Sequence, residues 1–397
     1  MAFRLPLLPL WYFLPFLPRN NKIWLFGSHF GKGYGDNSRA LFEYLLKNQE
    51  DYQVYWLTKS KDVYARLKNE KIPVIYAGSL KGWIMCIRAG VVFINHAAGD
   101  FIAHLINGSK QVILWHGLMI KTIGHDARKY RSNLLRPQQK VLFFFQRTIM
   151  PYFHSYKPWL VINTSDFFSP FFRSAFRIEK NQIAITGYPR NDFLSSCFQE
   201  KIIQTLNGDF DNPFIILYLP TWRDAYRYNG LPFDPFGGFG FSSENLDKYL
   251  KSHNAIFLYK GHYHNQNSTQ KDKISNRFFD LNHLHYEELY YLIKDVDLLI
   301  TDYSSVYFDF LLVNKPIVLA HFDHENYVKL SRNLYYDYFE EIKGAKAKDW
   351  PELMNILDSK SYSLPSKTTI NKFHHHFDHK SCFRVHREVV KRLNSNN

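Results

Sequence analysis

The sequence predicts an α/β protein of two parallel-sheet domains facing each other across a cleft. Short apolar runs such as Leu298–Thr301, hemmed in by charge, alternate with stretches of helical period. That is the pattern of strands buried on both faces beneath helices. The alternation comes in two successive sets, Lys22–Thr186 and Phe214–Ala320, in one style but without a repeat of fixed period. A chain of 397 residues, 46% hydrophobic, buries a sizeable core and exceeds the usual size of one domain.

In the first set, strand Lys22–Phe26 leads into a Gly-rich loop, Gly27–Asn37, and a helix through Lys47. The loop is not a P-loop, because Gly27 and Gly31 are one residue too close. It is not a dinucleotide fingerprint either, because Asp36 stands where the last glycine belongs. It reads as a loop at a strand's C-terminal edge, facing a ligand. Strand Val54–Leu57, helix Lys61–Asn69, strand Val74–Tyr76, helix Leu80–Ala89 and strand Val91–Asn95 follow. Strand Val112–Trp115 ends in His116-Gly117. From Arg128 to Lys157 basic and aromatic residues interleave, which reads as a membrane-contacting patch or a cover over the core. Strand Leu160–Asn163, helix Pro170–Phe176 and strand Ile183–Thr186 complete the set, which closes in Gly187–Asp192.

The second set opens with strand Phe214–Leu219 and Pro220–Asp224. Tyr226–Phe241, rich in Gly, Pro and aromatics, reads as a long loop over a site. Helix Glu244–Ser252 leads to strand Ile256–Tyr259, which ends in Lys260-Gly261-His262. Phe278–Leu281 and a helix Tyr286–Lys294 precede the clearest unit of the chain. There strand Leu298–Thr301 hands over through Asp302–Ser305 to a helix with Val306, Phe310 and Val313 on one face. Lys315-Pro316 stops it before strand Ile317–Ala320. A helix N-terminus carrying hydroxyls suits a phosphate, although plain N-capping by Ser304 satisfies the same groups. Phe383–Leu393 reads as a basic amphipathic helix.

Charge and termini narrow the function. Fifty Lys and Arg against 36 Asp and Glu give +14, which fits nucleic acid, anionic lipid or a phosphorylated substrate. Cys86, Cys197 and Cys382 form no disulfide or zinc pattern and point to a reducing compartment. The apolar run Leu5–Leu17 is shorter than the roughly 20 residues of a spanning helix, and Pro6, Pro9, Pro15 and Pro18 should interrupt any helix there. No small-residue cleavage site follows it. Trp11, Tyr12 and Phe13 with Arg4, Arg19 and Lys22 suit a segment at a bilayer surface, or equally an apolar arm packed on the protein.

The candidate chemical groups share one location, the turn after a strand's C-terminal end, where open α/β sheets bind ligands. They are His116, Arg190, Arg223, Lys260 with His262, and Thr301 to Ser305. Each singly is compatible with a structural histidine or a surface ion pair. Together they suit acid/base chemistry beside phosphate, since a neutral His takes a hydroxyl proton while Arg and Lys offset phosphate charge. His374, His375, His376 and His379 invite a metal reading, but Phe373 and Phe377 mark a packed segment. No Ser/His/Asp signature is present.

Taken together and in order, these motifs resemble the CDP-glycerol glycerophosphotransferase family, the teichoic-acid primases and polymerases with a GT-B fold. The pieces are Trp115-His116-Gly117 with Lys121 and Gly124, Gly187–Asp192, Pro220–Arg223 and Lys260–His262. Thr301–Ser305 with Asp309, Lys315-Pro316 and Asp323, then Tyr327 with Arg332, and Asp378 with Arg384 complete the set. The sequence departs from the family at Tyr263, where proline is usual, and at Asn333, where glycine is.

The resemblance implies two Rossmann-like domains: residues 22–200 binding the acceptor, with the basic segment 128–157, and residues 201–380 binding the CDP donor. Residues 1–21 are the apolar arm, and 381–397 the C-terminal helix, packing back on the first domain. It implies transfer of glycerol phosphate from CDP-glycerol, or another CDP-polyol, to a hydroxyl, with release of CMP. His116 would be the base on the acceptor hydroxyl, and His262 would contact the diphosphate. Arg190, Arg223, Lys260, Thr301, Ser304, Ser305 and Arg332 would bind substrate. No cofactor or metal is implied. The acceptor would be a polyprenyl-diphosphate-linked saccharide or growing polymer, and the enzyme peripheral on the cytoplasmic face of an anionic membrane, without nucleic acid. The products that fit are teichoic acid or a phosphopolyol capsule. The competing readings are a GT-B glycosyltransferase using a nucleotide sugar and a non-enzymatic basic module for membrane or nucleic acid.

Overall fold

The computed structural model describes residues 8–48, 51–127, 138, 158–195, 210–221, 223, 234–261, 274–282, 290, 292–330 and 333–395. The chain divides into two compact units. One comprises residues 1–116, 124–193 and 374–397; the other comprises 117–123 and 194–373. The expected return of the C-terminal helix to the first unit is seen, beginning at residue 374 rather than 381, whereas residues 117–123, just after His116, were expected in the first unit and fall in the second.

The first unit is built on β1 (Asn20–Gly27), β2 (Gln53–Thr58), β3 (Val74–Tyr76), β4 (Ala89–Ile94), β5 (Lys110–Ile113), β6 (Pro158–Asn163) and β7 (Ile183–Ile185). They form one parallel sheet in the order β3-β2-β1-β4-β5-β6-β7. Leu25 at its centre pairs with Tyr55 on one side and Val92 on the other. The chain leaves β1 in one direction and returns at β4 in the other, so the loops after these strands splay apart at a switch point, the usual place for a ligand. Every residue of β4 is buried, as expected for a strand covered on both faces.

The second unit has β8 (Phe214–Leu219), β9 (Ala255–Tyr259), β10 (Phe278–Asp280), β11 (Leu298–Thr301), β12 (Ile317–Ala320) and β13 (Ala345–Ala347). These are also all parallel, in the order β10-β9-β8-β11-β12-β13, with the switch point between β8 and β11. Both sheets have the doubly wound, Rossmann-like arrangement that the alternation predicts. β13 carries only Ala345, Lys346 and Ala347, too short and too plain to be read as a strand without its neighbour Val318–Ala320.

Several expectations need correction. The arm does form a helix, Leu8–Phe13, followed by a 3-10 turn, Leu14–Phe16. Pro9 falls within its first turn, where a missing N–H costs nothing. Trp11 and Leu14 are buried, whereas Tyr12, Phe13 and Phe16 are exposed, so the arm has both a packed and an open face. In the described part of the long loop before Ser243, Phe236, Phe239 and Phe241 are partly buried and pack against the core of the second unit. Phe236 and Phe241 lie against Trp350 (5.4 and 4.8 Å), whose indole donates to Pro235 O. Residues 226–233 of that loop lie outside the described residues, as do the basic segment 128–157 apart from Gln138, Cys197, and most of the expected helix 286–294. Among the described residues no helix is long and apolar enough to cross a membrane.

Candidate active site

In the first unit, the loops after β1, β4 and β5 meet at the C-terminal edge of the sheet. Asp100 ties the first two together, its carboxylate accepting the backbone N–H groups of Phe30 (2.8 Å), Asn95 (2.9 Å) and His96 (2.7 Å). The β5 loop turns sharply at Trp115, which takes the left-handed φ of 59°, and projects His116. The His116 ring lies parallel to that of His96 at 4.4 Å. Its Nδ1 faces the Asn95 carbonyl at a long 3.4 Å; the partner being an acceptor, the proton belongs on Nδ1 and the lone pair on Nε2. His116 is an exposed residue, with the rings of His96 and Trp115 beside its own. Dehydration by its surroundings is the main influence on its pKa, pushing it down to about 4 against the pull of Asp36. His116 is thus a neutral, reachable imidazole at physiological pH.

Asp36, on the left-handed φ of 65°, begins the helix Asp36–Asn48 beside this ring. Burial alone would raise its pKa, but the Arg190 guanidinium, with His96 and His29, holds it well below the usual carboxylate range. Arg190 Nη1 donates both to Asp36 Oδ1 and to the His116 carbonyl, each at 2.7 Å. His29, Asp36 and His96 present ligand atoms within 4.8 Å of one another. They do not fit a metal. His96 Nδ1 accepts the His29 backbone N–H (3.2 Å), which puts the ring proton on Nε2. Asp36 is already neutralised by a guanidinium that would repel a cation.

In the second unit the turns after β8, β11 and β12 converge on Arg223. Its Nε and Nη2 grip Asp323 in a two-toothed contact, Nη2 also reaches Asp302, and Nη1 donates to Thr221 O. Each of these distances is 2.7 or 2.8 Å. The guanidinium also lies over the ring of Tyr327 (4.7 Å), which is itself stacked on Tyr303 (3.8 Å). All three charged residues are buried. Gly117 backs onto the turn after β11, where an added Cβ would stand 2.3 Å from Ser305 Oγ, so only glycine fits.

These placements revise the expected site. Arg223 is buried, with its guanidinium held by Asp302, Asp323 and Thr221 O. Arg190 is buried and donates to Asp36 and the His116 carbonyl. Thr301 is buried and donates to Leu219 O (2.8 Å), and Lys260 is buried with its ammonium on Leu281 O (3.0 Å). Ser304 and Ser305 remain half-exposed at the head of the helix Val306–Leu311, and Ser305 makes no capping hydrogen bond. His262 and Arg332 lie outside the described residues. Sequence reasoning missed Asn37 and His96. The Gly-rich loop ending at Asn37 was the available signal for the first. His96 gave none, since it packs against His116 only across strands.

The sequence from residue 11 to 391 matches the family model of CDP-glycerol:poly(glycerophosphate) glycerophosphotransferase. The chain belongs to this family. As a glycerophosphotransferase it is 29% identical over 396 residues to the teichoic acid poly(glycerol phosphate) polymerase of Bacillus spizizenii, covering 95% of this chain and 93% of that protein. The polymerase of the same name from Bacillus subtilis is 28% identical over 88% of this chain, which spans only 46% of that longer protein. A solved structure of the wall teichoic acid polymerase TagF superposes with a TM-score of 0.69 at 23% identity, over 95% of this chain and 90% of that one. This transferase thus has the TagF fold, two Rossmann-like units of the GT-B kind.

Proposed function

We propose that this transferase moves glycerol phosphate from CDP-glycerol to a hydroxyl of a lipid-linked acceptor, with His116 as the general base and CMP as the product. The observation that carries this is His116 itself. It is a neutral imidazole on an exposed residue beside the switch point of the first sheet. Nε2 takes the proton as the acceptor oxygen attacks the β-phosphorus of the donor and the bond to CMP breaks. Displacement at phosphorus depends on positioning and charge neutralisation, which cationic and hydroxyl side chains supply. Ser304 and Ser305 are the described groups best suited to hold the donor phosphates. His262 and Arg332 keep the donor roles that the family resemblance gives them.

Membrane contact is the second part of the proposal. Phe13 and Phe16 on the arm and Leu80, Trp83 and Ile84 on the helix Leu80–Arg88 are exposed, with Lys81 and Arg88 beside them. Arg19 links the two segments by donating to Cys86 O (2.8 Å), at the end of that helix. An apolar face rimmed by cations suits the surface of an anionic bilayer. The donor is tested by measuring CMP release from CDP-glycerol and CDP-ribitol, and nucleotide release from a nucleotide sugar, each with a polyprenyl-linked acceptor. Turnover of a CDP-polyol alone is expected. Consumption of the nucleotide sugar alone would replace this reading with glycosyl transfer.

A further inference from the structure

The turn that presents His116 is strained, and one buried side chain holds it. A bulky residue in the left-handed region costs on the order of 1 kcal/mol and persists only where its surroundings fix it. Trp115 is such a residue. Asn37, fully buried at the start of the helix Asp36–Asn48, donates from Nδ2 to Trp115 O (2.7 Å). Its Oδ1 accepts the backbone N–H of Arg190 (3.0 Å). Arg190 closes the circuit on the next carbonyl, His116 O, while its other contact anchors Asp36. Two consecutive carbonyls, those of Trp115 and His116, are therefore pinned from one asparagine, directly and through one arginine.

We propose that Asn37 is a positioning residue for His116, aiming the imidazole by locking the turn from which it projects. This rests on the reading of His116 as the base. A shift of about 1 Å at a catalytic group costs roughly 100-fold in rate, so the loss should fall on turnover rather than on donor binding.

The test compares Asn37→Ala, Asn37→Asp and His116→Ala with wild type by CMP release from CDP-glycerol, donor binding and thermal unfolding, at a temperature where each is folded. Asn37→Asp keeps the acceptor for Arg190 N–H but loses the donor to Trp115 O. Its kcat should fall about 100-fold with KM for the donor nearly unchanged. Its new carboxylate, joining Asp36, Arg190, His29 and His96 around His116, should move the acid limb of the rate profile to higher pH. A merely structural role would lower the unfolding midpoint and leave kcat per folded enzyme and the profile alone, which would overturn the proposal. So would wild-type kcat in folded Asn37 variants alongside an inactive His116→Ala. Full activity in His116→Ala would instead overturn the base assignment on which the proposal stands.

Discussion

At the residue scale the proposed base, His116, is an exposed residue, whereas Arg223, Asp302 and Asp323 are buried and paired with one another. His116 is already neutral near pH 7, so the rate should stay level as pH falls through the ordinary histidine pKa of about 6.5. It should drop only toward about 4. A rate profile breaking near 6.5 would show that the ring is not dehydrated as described. The same lowered pKa means that the unfolded chain binds more protons between these values, so His116 costs stability as pH falls across that window. Arg223 gives the opposite kind of test. Arg223→Met leaves Asp302 and Asp323 buried without their cation, which should cost about 3–5 kcal/mol by denaturant unfolding. An arginine that merely touched a phosphate would weaken donor binding and leave stability alone. The residue types and their place after strand ends were legible in the sequence. Their partners were not, because Arg223–Asp323 and Arg190–Asp36 lie 100 and 154 positions apart and meet only through the sheet order.

Among the elements, the motifs with no evident chemistry turn out to be joints. Asp192 caps the helix Ser381–Ser395, its carboxylate accepting the N–H groups of Ser381 (3.0 Å) and Cys382 (2.8 Å). Gly187 makes room for that helix, since a Cβ there would stand 2.5 Å from Ser381 Oγ. Arg384 completes the joint by donating to Thr186 O (2.7 Å) and Asp378 (2.8 Å). Asp192→Ala should cost about 1 kcal/mol through loss of the cap, read as a lowered unfolding midpoint with unchanged donor KM. Unchanged stability would show that the cap contributes nothing. Gly117→Ala should disturb the turn at Ser305 and lower turnover. Strands and helices with strong periodicity were readable to within a few residues, and β8, β11 and β12 fell where expected. The helix expected through Val313 stops at Leu311, because Asn314 turns left-handed ahead of Lys315-Pro316. β13 and the arm helix escaped notice because neither has a periodic pattern of its own.

For the whole molecule, the two parallel sheets followed from alternation alone, and the family resemblance already assigned the C-terminal helix to the first domain, where it lies. The assignment of residues 117–123 to the second unit did not follow, because no local signal marks that short stretch. The +14 charge and the exposed apolar face of the arm predict binding to anionic vesicles that weakens with salt. Phe13→Ser with Phe16→Ser should reduce that binding in sedimentation while leaving turnover of a soluble acceptor analogue intact. Binding unaffected by both changes would remove the arm from the membrane surface. The most direct measurement of the central claim is CMP release from CDP-glycerol by His116→Ala beside wild type, with donor affinity measured on both. The account predicts loss of at least about 100-fold in turnover, the scale of general-base catalysis, with donor binding retained. Turnover within a few-fold of wild type would contradict it and require another base.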